Sequence, residues 1–174
     1  GVNGAVSLLK MILRYTFYIE SIGAVVLFVG FLLNGESAAT SLYYAIFHSV
    51  SAFCNAGFSP INGGLRPFAQ TFIVPFAIMS LIVLGGIGFP VVAEFLAWLR
   101  KKKRFSHYTK MVLFLTFWLI VIGTVLIVIS DWNSAFKGMP LFARIWNALF
   151  ASVTARTAGF DTVDPARFSG LGQA

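Results

Sequence analysis

From Ser41 to Gly64 the chain reads SLYYAIFHSVSAFCNAGFSPINGG. Residues 41–53 are apolar and helix-like; residues 55–64 are turn chemistry throughout. No charge occurs anywhere between residues 37 and 65. A helix of about 13 residues reaches only ~20 Å, short of the ~30 Å hydrocarbon layer of a bilayer. Irregular backbone at membrane depth survives only where protein surrounds it or it lines a water-filled cavity. The stretch is therefore expected to enter a membrane and turn back.

The flanking sequence makes the membrane the right solvent. Of 174 residues 58% are hydrophobic and 11% charged, where a soluble domain carries roughly 25% charged residues. A soluble domain could not be wrapped in so little polar surface, and disorder is excluded by the apolar content. One cysteine, Cys54, excludes an internal disulfide framework. Three segments have spanning length: 15–33 with Glu20 as its one charge, 67–93 with its apolar run continuing to Leu99, and 111–130. The second is longer than a span needs, with weak points at Pro75 and at Gly85-Gly86-Ile87-Gly88-Phe89-Pro90. Trp98 and Trp132 lie at span ends, where indoles favour the interface.

The net charge of +7 is concentrated: Arg100 to Arg104 with Lys110 hold six of the 13 basic residues, and Lys10 and Arg14 precede the first span. Basic runs beside spans stay cytoplasmic. Two spans between these clusters put the N-terminus inside and residues 34–69 outside. This distribution argues against nucleic-acid binding.

After the third span the pattern recurs. Residues 141–155, LFARIWNALFASVTA, follow Pro140 and are mostly apolar; RTAGFDTVD (156–164) is again turn chemistry. Phe47, Ser49, Val50 and Ala52 match Phe150, Ser152, Val153 and Ala155 at an offset of 103, and Ser51 matches Thr154. Ala56-Gly57-Phe58 matches Ala158-Gly159-Phe160 at 102, so the second copy lacks one residue. The unit is span, short helix, Gly loop, span, and it is duplicated.

Such a unit has a definite chemistry. The carbonyl end of a short helix carries about half a negative charge and attracts a cation. A following Gly reaches backbone angles closed to other residues. Carbonyls turned to one axis replace an ion's hydration shell, which suits an alkali cation. A divalent metal calls for carboxylates, and neither loop has one at its Gly.

SVSAFCNAGFS, GGIGFPVVAE and SVTARTAGFDTVD resemble the Trk/Ktr/HKT superfamily of potassium transporters, most of all its Ktr-type pore-forming membrane subunit. The resemblance covers nearly the whole chain. It implies an all-α membrane protein built of span–re-entrant pore helix–filter loop–span repeats. Four such repeats in one polypeptide surround one pore. Here it implies a connector over 1–10, one pore repeat over 11–99, a basic cytoplasmic loop over 100–110 and a partial second repeat over 111–174. These correspond to repeat two and the first part of repeat three. The expected set is incomplete, with three spans and two pore helices, so the sequence reads as a piece of a longer protein. The resemblance further implies potassium uptake across a bacterial plasma membrane, with ions held by backbone carbonyls of Asn55, Ala56 and Gly57 and of Thr157, Ala158 and Gly159. It implies no enzyme activity and no bound cofactor. It implies K+ as the transported ion, with Na+ as a second candidate. The partners implied are a second copy of the subunit, a cytosolic ring of nucleotide-binding regulatory subunits and membrane lipid.

Other residues invite other readings. His48 and Cys54 hint at a re-entrant membrane hydrolase, although six residues of separation do not place them in contact. His48 reads better as a pore-helix residue bonded to a neighbour, and His107 as a solvated loop residue. Gly85, Gly86 and Gly88 lie in an apolar span, not in a dinucleotide-binding turn. Glu20 and Glu94 are expected near cytoplasmic span ends, snorkelling or paired with Lys or Arg. Arg156, a cation beside a cation path, is expected to point away and pair behind its loop with an acid, Asp161 first and Asp164 second. A purely structural membrane subunit is a third class, disfavoured because a scaffold needs no irregular backbone in the bilayer.

Overall fold

A computed structural model describes residues 2–101 and 104–168, which are helical with no strand. Lys102 and Lys103 of the basic stretch lie outside the described residues. Six α-helices follow in order: α1 Val2–Leu33, α2 Ala38–Phe53, α3 Ile73–Gly86, α4 Phe89–Lys101, α5 His107–Asp131 and α6 Leu141–Thr154. Short 3-10 turns cover Arg66–Phe68 and Pro165–Arg167.

The helix starts have local causes. Ser37 accepts the amide of Thr40 (3.2 Å) and opens α2; Ser106 accepts the amide of Thr109 (3.2 Å) and opens α5. Pro140 precedes α6, where a fixed φ suits helix entry and no amide is lost. Glu94 accepts the amide of Ser106 (3.0 Å), so α4 is tied to the start of α5. This corrects one expectation: Glu94 takes part in capping α5, and no ion pair to it is found among the described residues.

α1 begins at Val2, so the stretch expected as a connector is helical and continuous with the span. Its apolar part runs Val6–Leu33. Glu20 therefore sits near the middle of that helix, not near its end. α5 is the second helix long and apolar enough to cross a membrane. Both turn large apolar side chains outward, Phe17, Ile22, Leu126 and Ile129 among them. In α5 only Thr109, Thr116 and Asp131 are fully buried; Ile120, Ile127 and Val128 pack partly against the interior, and most of its other large apolar side chains face outward. That is the distribution a lipid-facing helix requires.

The long apolar segment is broken, as its length suggested. α3 and α4 meet at an angle of 106° across Ile87 and Gly88. The break falls in the Gly–Pro cluster, with Gly88 at φ +86 and Pro90 in the first turn of α4. Pro75 causes no break, because it lies in the first turn of α3 where its missing amide has no partner to lose.

α2 packs against α1 and α3, and α6 packs against α5. One apolar core runs through both copies: Leu27 and Phe31 of α1, Ala45 and Ala52 of α2, Ile78 and Leu81 of α3, and Phe150 and Val153 of α6. Asn147 of α6 locks the copies together. Its side-chain amide donates to Ala69 O (2.8 Å) and to Ala143 O (2.7 Å), and the residue is fully buried.

The duplication reaches deeper than the loops. Ser49 of α2 donates to Glu20 O (2.6 Å) and lies against Gly23; Ser152 of α6 donates to Ile120 O (2.9 Å) and lies against Gly123. Each short helix thus docks on its long helix through one serine hydroxyl and one glycine. In the sequence the serines recur at the repeat offset of 103 but the glycines, Gly23 and Gly123, do not, so the docking does not stand out from composition.

Candidate functional site

Each short helix ends in a loop that turns its amides back onto the helix. At the end of α2, Cys54 N donates to Val50 O (2.9 Å), Asn55 N to Ala52 O (3.1 Å) and Ala56 N to Ser51 O (2.8 Å). At the end of α6, Thr154 O receives the amides of Thr157 (3.3 Å), Ala158 (2.9 Å) and Gly159 (3.4 Å). The carbonyls behave differently. Among the described residues, none of the six carbonyl oxygens of Asn55, Ala56, Gly57, Thr157, Ala158 and Gly159 accepts a hydrogen bond.

The one-residue difference between the copies is visible in the backbone. Ala56 bonds back five residues, Ala158 four. Asn55 takes the extra position at φ +53, a left-handed angle that Asn tolerates better than most residues. Gly57 (φ +72) and Gly159 (φ +76) then share the conformation that favours glycine. Beyond them the same hydroxyl position latches each Phe. Ser51 donates to Phe58 O (2.9 Å), and Thr154 accepts from Phe160 N (2.8 Å).

The two loops abut. A Cβ on Gly57 would lie 2.1 Å from Ala158 O and 3.1 Å from the Gly159 carbonyl carbon, so the backbones are already in contact. Thr157 donates its hydroxyl to the Asn55 side-chain oxygen at 2.9 Å, joining the first residues of the two motifs. From behind, Gly85 of α3 lies against the end of α2, where an added Cβ would meet Phe53 O at 1.9 Å. Neither short helix has a basic residue in its last turn to offset its negative end.

The expected Arg156–Asp161 pair is not formed. Asp161 is held by Arg66, whose Nε and Nη2 donate to one carboxylate oxygen at 3.1 and 2.9 Å, while Nη1 lies 3.3 Å from Asp164. Arg156 is half-buried, and no ion pair to it is found among the described residues. Its sequence neighbours bear the wrong geometry: Asp161 lies past Phe160, whose amide is latched to α6, and is carried toward the other copy. The Asp161 hydrogen bond, with the two acid charges, raises the Arg66 guanidinium further above its ordinary range. Both partners are partly exposed, so the pair adds little to overall stability.

His48 is fully buried and bonded at both ring nitrogens, to Tyr44 O (2.7 Å) and to the Ser59 hydroxyl (2.9 Å). A carbonyl only accepts, so Nδ1 carries the hydrogen. Ser59 accepts the amide of Ile61 (3.2 Å), which leaves its hydroxyl hydrogen for Nε2 of a neutral ring. With both nitrogens committed, His48 is no base for Cys54, and the hydrolase reading loses its second residue. His107 is exposed as expected, but it is the first residue of α5 and not a loop residue.

The sequence that builds this fold has counterparts among known proteins. A family model described as a cation transport protein, TrkH, matches residues 3–173. The chain belongs to the TrkH cation transport protein family. Among its relatives, the potassium/sodium uptake protein NtpJ of Enterococcus hirae is 34% identical over 98% of this chain and 38% of its own length. The Ktr system potassium uptake protein B of Vibrio alginolyticus is 36% identical over 93% of this chain and 36% of its own. The Ktr system potassium uptake protein D of Bacillus subtilis is 32% identical over 96% and 38%. The chain thus spans a little over a third of the length of these relatives.

Membership of the TrkH family agrees with the all-helical fold and its apolar helices. Chemically, the loops present oxygen atoms without a carboxylate among their motif residues.

Proposed function

We propose that this chain forms part of a potassium uptake pore in a bacterial plasma membrane. Ions are held by the backbone carbonyls of Asn55, Ala56 and Gly57 and of Thr157, Ala158 and Gly159. The observation that carries this reading is the division of labour in both loops: amides turned back to the helix end, carbonyls without partners among the described residues. Two helix ends bring partial negative charge to the same place, which favours a cation without the tight grip a carboxylate would add. Sodium is the second candidate ion. Asp161 supports the second loop through Arg66. The parts implied by the resemblance belong to the same proposal: a homodimer of the pore subunit and a cytosolic ring of nucleotide-binding regulatory subunits.

Potassium uptake by the protein expressed from its complete reading frame, in cells lacking their own uptake systems, tests this reading. Growth at low potassium that depends on the protein is the expected result; no uptake by correctly inserted protein contradicts it. A second experiment separates the pore reading from a simple leak. Residues 1–174 supply two filter loops, and each unpaired backbone group facing hydrocarbon costs several kcal/mol. Purified monomeric 1–174 in liposomes is therefore expected to show no potassium-selective flux. Selective flux from the monomer would contradict a four-loop filter.

The Lys and Arg asymmetry supports a cytoplasmic N-terminus, cytoplasmic residues 100–110 and a first Gly loop on the outside. With Cys54, which is exposed, replaced by serine, single cysteines at Asn62 and Arg104 report the sides. Labelling from opposite faces is expected. Labelling of both from one face would overturn the scheme of two crossings separated by a re-entrant helix.

A further inference from the structure

The two copies brace their Gly loops differently, and the difference points to Arg66. In the first copy the brace is internal. Ser59, just past the loop, is bonded to the buried His48 of its own short helix at 2.9 Å. At the repeat offsets of 103 and 102, the second copy has Ala151 where the first has His48, and Asp161 where it has Ser59. Ala151 offers nothing to bond. The partner is supplied across the repeat boundary instead: Arg66 takes Asp161 with two of its nitrogens and reaches Asp164 with a third. Alongside, Leu65 N donates to Asp161 O (3.2 Å), and Gly64 leaves the space that Asp161 fills, since a Cβ there would lie 2.8 Å from its Oδ1.

The carbonyl-bearing segment of the second loop is therefore fixed to the first copy at both ends. Thr157 is tied to Asn55 before it, and Asp161 to Arg66 after it. We infer that Arg66 is a positioning residue for ion selection: it sets where the carbonyls of Thr157, Ala158 and Gly159 stand relative to those of the first loop. This rests on the filter reading above and adds a residue outside both loop motifs. The planar guanidinium matters as well as the charge, because two donors of one rigid fork converge on a single Asp161 oxygen while a third reaches Asp164, a geometry that a lysine ammonium does not reproduce.

The test is potassium uptake by the protein expressed from its complete reading frame, with sodium as competitor and membrane abundance measured alongside. Arg66→Gln is expected to raise the half-saturating potassium concentration about tenfold and to erode preference over sodium, at unchanged abundance. Arg66→Lys should fall between the two. Asp161→Asn removes the same tie from the other side and should reproduce the shift. The swap Arg66→Asp with Asp161→Arg should recover part of it. An electrostatic role alone predicts the opposite sign, since removing Arg66 leaves two acids to gather cations and lowers half-saturation. A merely structural role lowers abundance and maximal rate and leaves half-saturation and ion preference alone. Either result overturns the inference, as does an Arg66→Gln protein indistinguishable from wild type. A wild-type protein that takes up no potassium overturns the filter reading, and this inference with it.

Discussion

Gly57→Ser is expected to abolish preference for potassium over sodium, whereas Gly159→Ser only weakens it. Both glycines sit at left-handed angles, φ +72 and +76, which cost a residue with a Cβ roughly 1–2 kcal/mol. At Gly159 that strain is the whole effect, because no atom of the described residues lies within 4 Å of the added Cβ. At about 1.4 kcal/mol per factor of ten, a selectivity loss near tenfold follows. Gly57 meets a second obstacle. Its Cβ would stand 2.1 Å from Ala158 O, a backbone atom that cannot rotate out of the way as a side chain would. The second loop must move, and its carbonyls move with it. Competition of sodium against potassium uptake, with abundance checked, measures both. Equal losses in the two variants would show that the loops do not abut in the working protein.

Gly85→Ala is expected to be the most damaging change outside the loops. Gly85 lies on α3 where the helix crosses the end of α2, and an added methyl would be 1.9 Å from Phe53 O and 2.9 Å from its carbon. Overpacking a fitted interior costs typically 1–3 kcal/mol, and backbone on the receiving side puts this case at the upper end. The adjacent glycine is the control. A Cβ on Gly86 has the Asn55 amide nitrogen at 3.9 Å as its nearest neighbour, an ordinary contact. Gly86→Ala should be neutral or slightly stabilising, since alanine is the better helix former. Thermal unfolding of the purified full-length protein in detergent separates the two. A Gly85→Ala protein as stable as Gly86→Ala would mean that α3 does not press on the end of α2.

What the sequence made legible and what it did not divide along a physical line. The short helices, the Gly loops and the break at residues 85–90 are local: an uncharged run too short to cross, turn residues after it, and glycines with a proline in an overlong apolar segment. Each is written in consecutive residues. The extent of α1 was not, because loss of hydropathy marks the edge of a span and not the end of a helix; α1 continues back to Val2. The pairing of Asp161 was missed for a different reason. Arg156 is five residues away in sequence and Arg66 is 95, yet the latch of Phe160 onto Thr154 turns the chain so that the distant arginine is the near one. Likewise the Ser49–Gly23 and Ser152–Gly123 dockings join residues 26 and 29 apart, and no local pattern announces them.

The account stands on one claim, that backbone carbonyls of the two Gly loops hold the ion. Anomalous scattering from thallium or rubidium, heavier stand-ins for potassium, locates the ion directly in crystals of the full-length protein. The account predicts a peak between the two loops, coordinated by carbonyl oxygens from the Asn55–Gly57 and Thr157–Gly159 segments. A cation bound only at carboxylates such as Asp161, Asp164 or Glu20, with no density between the loops, would contradict it.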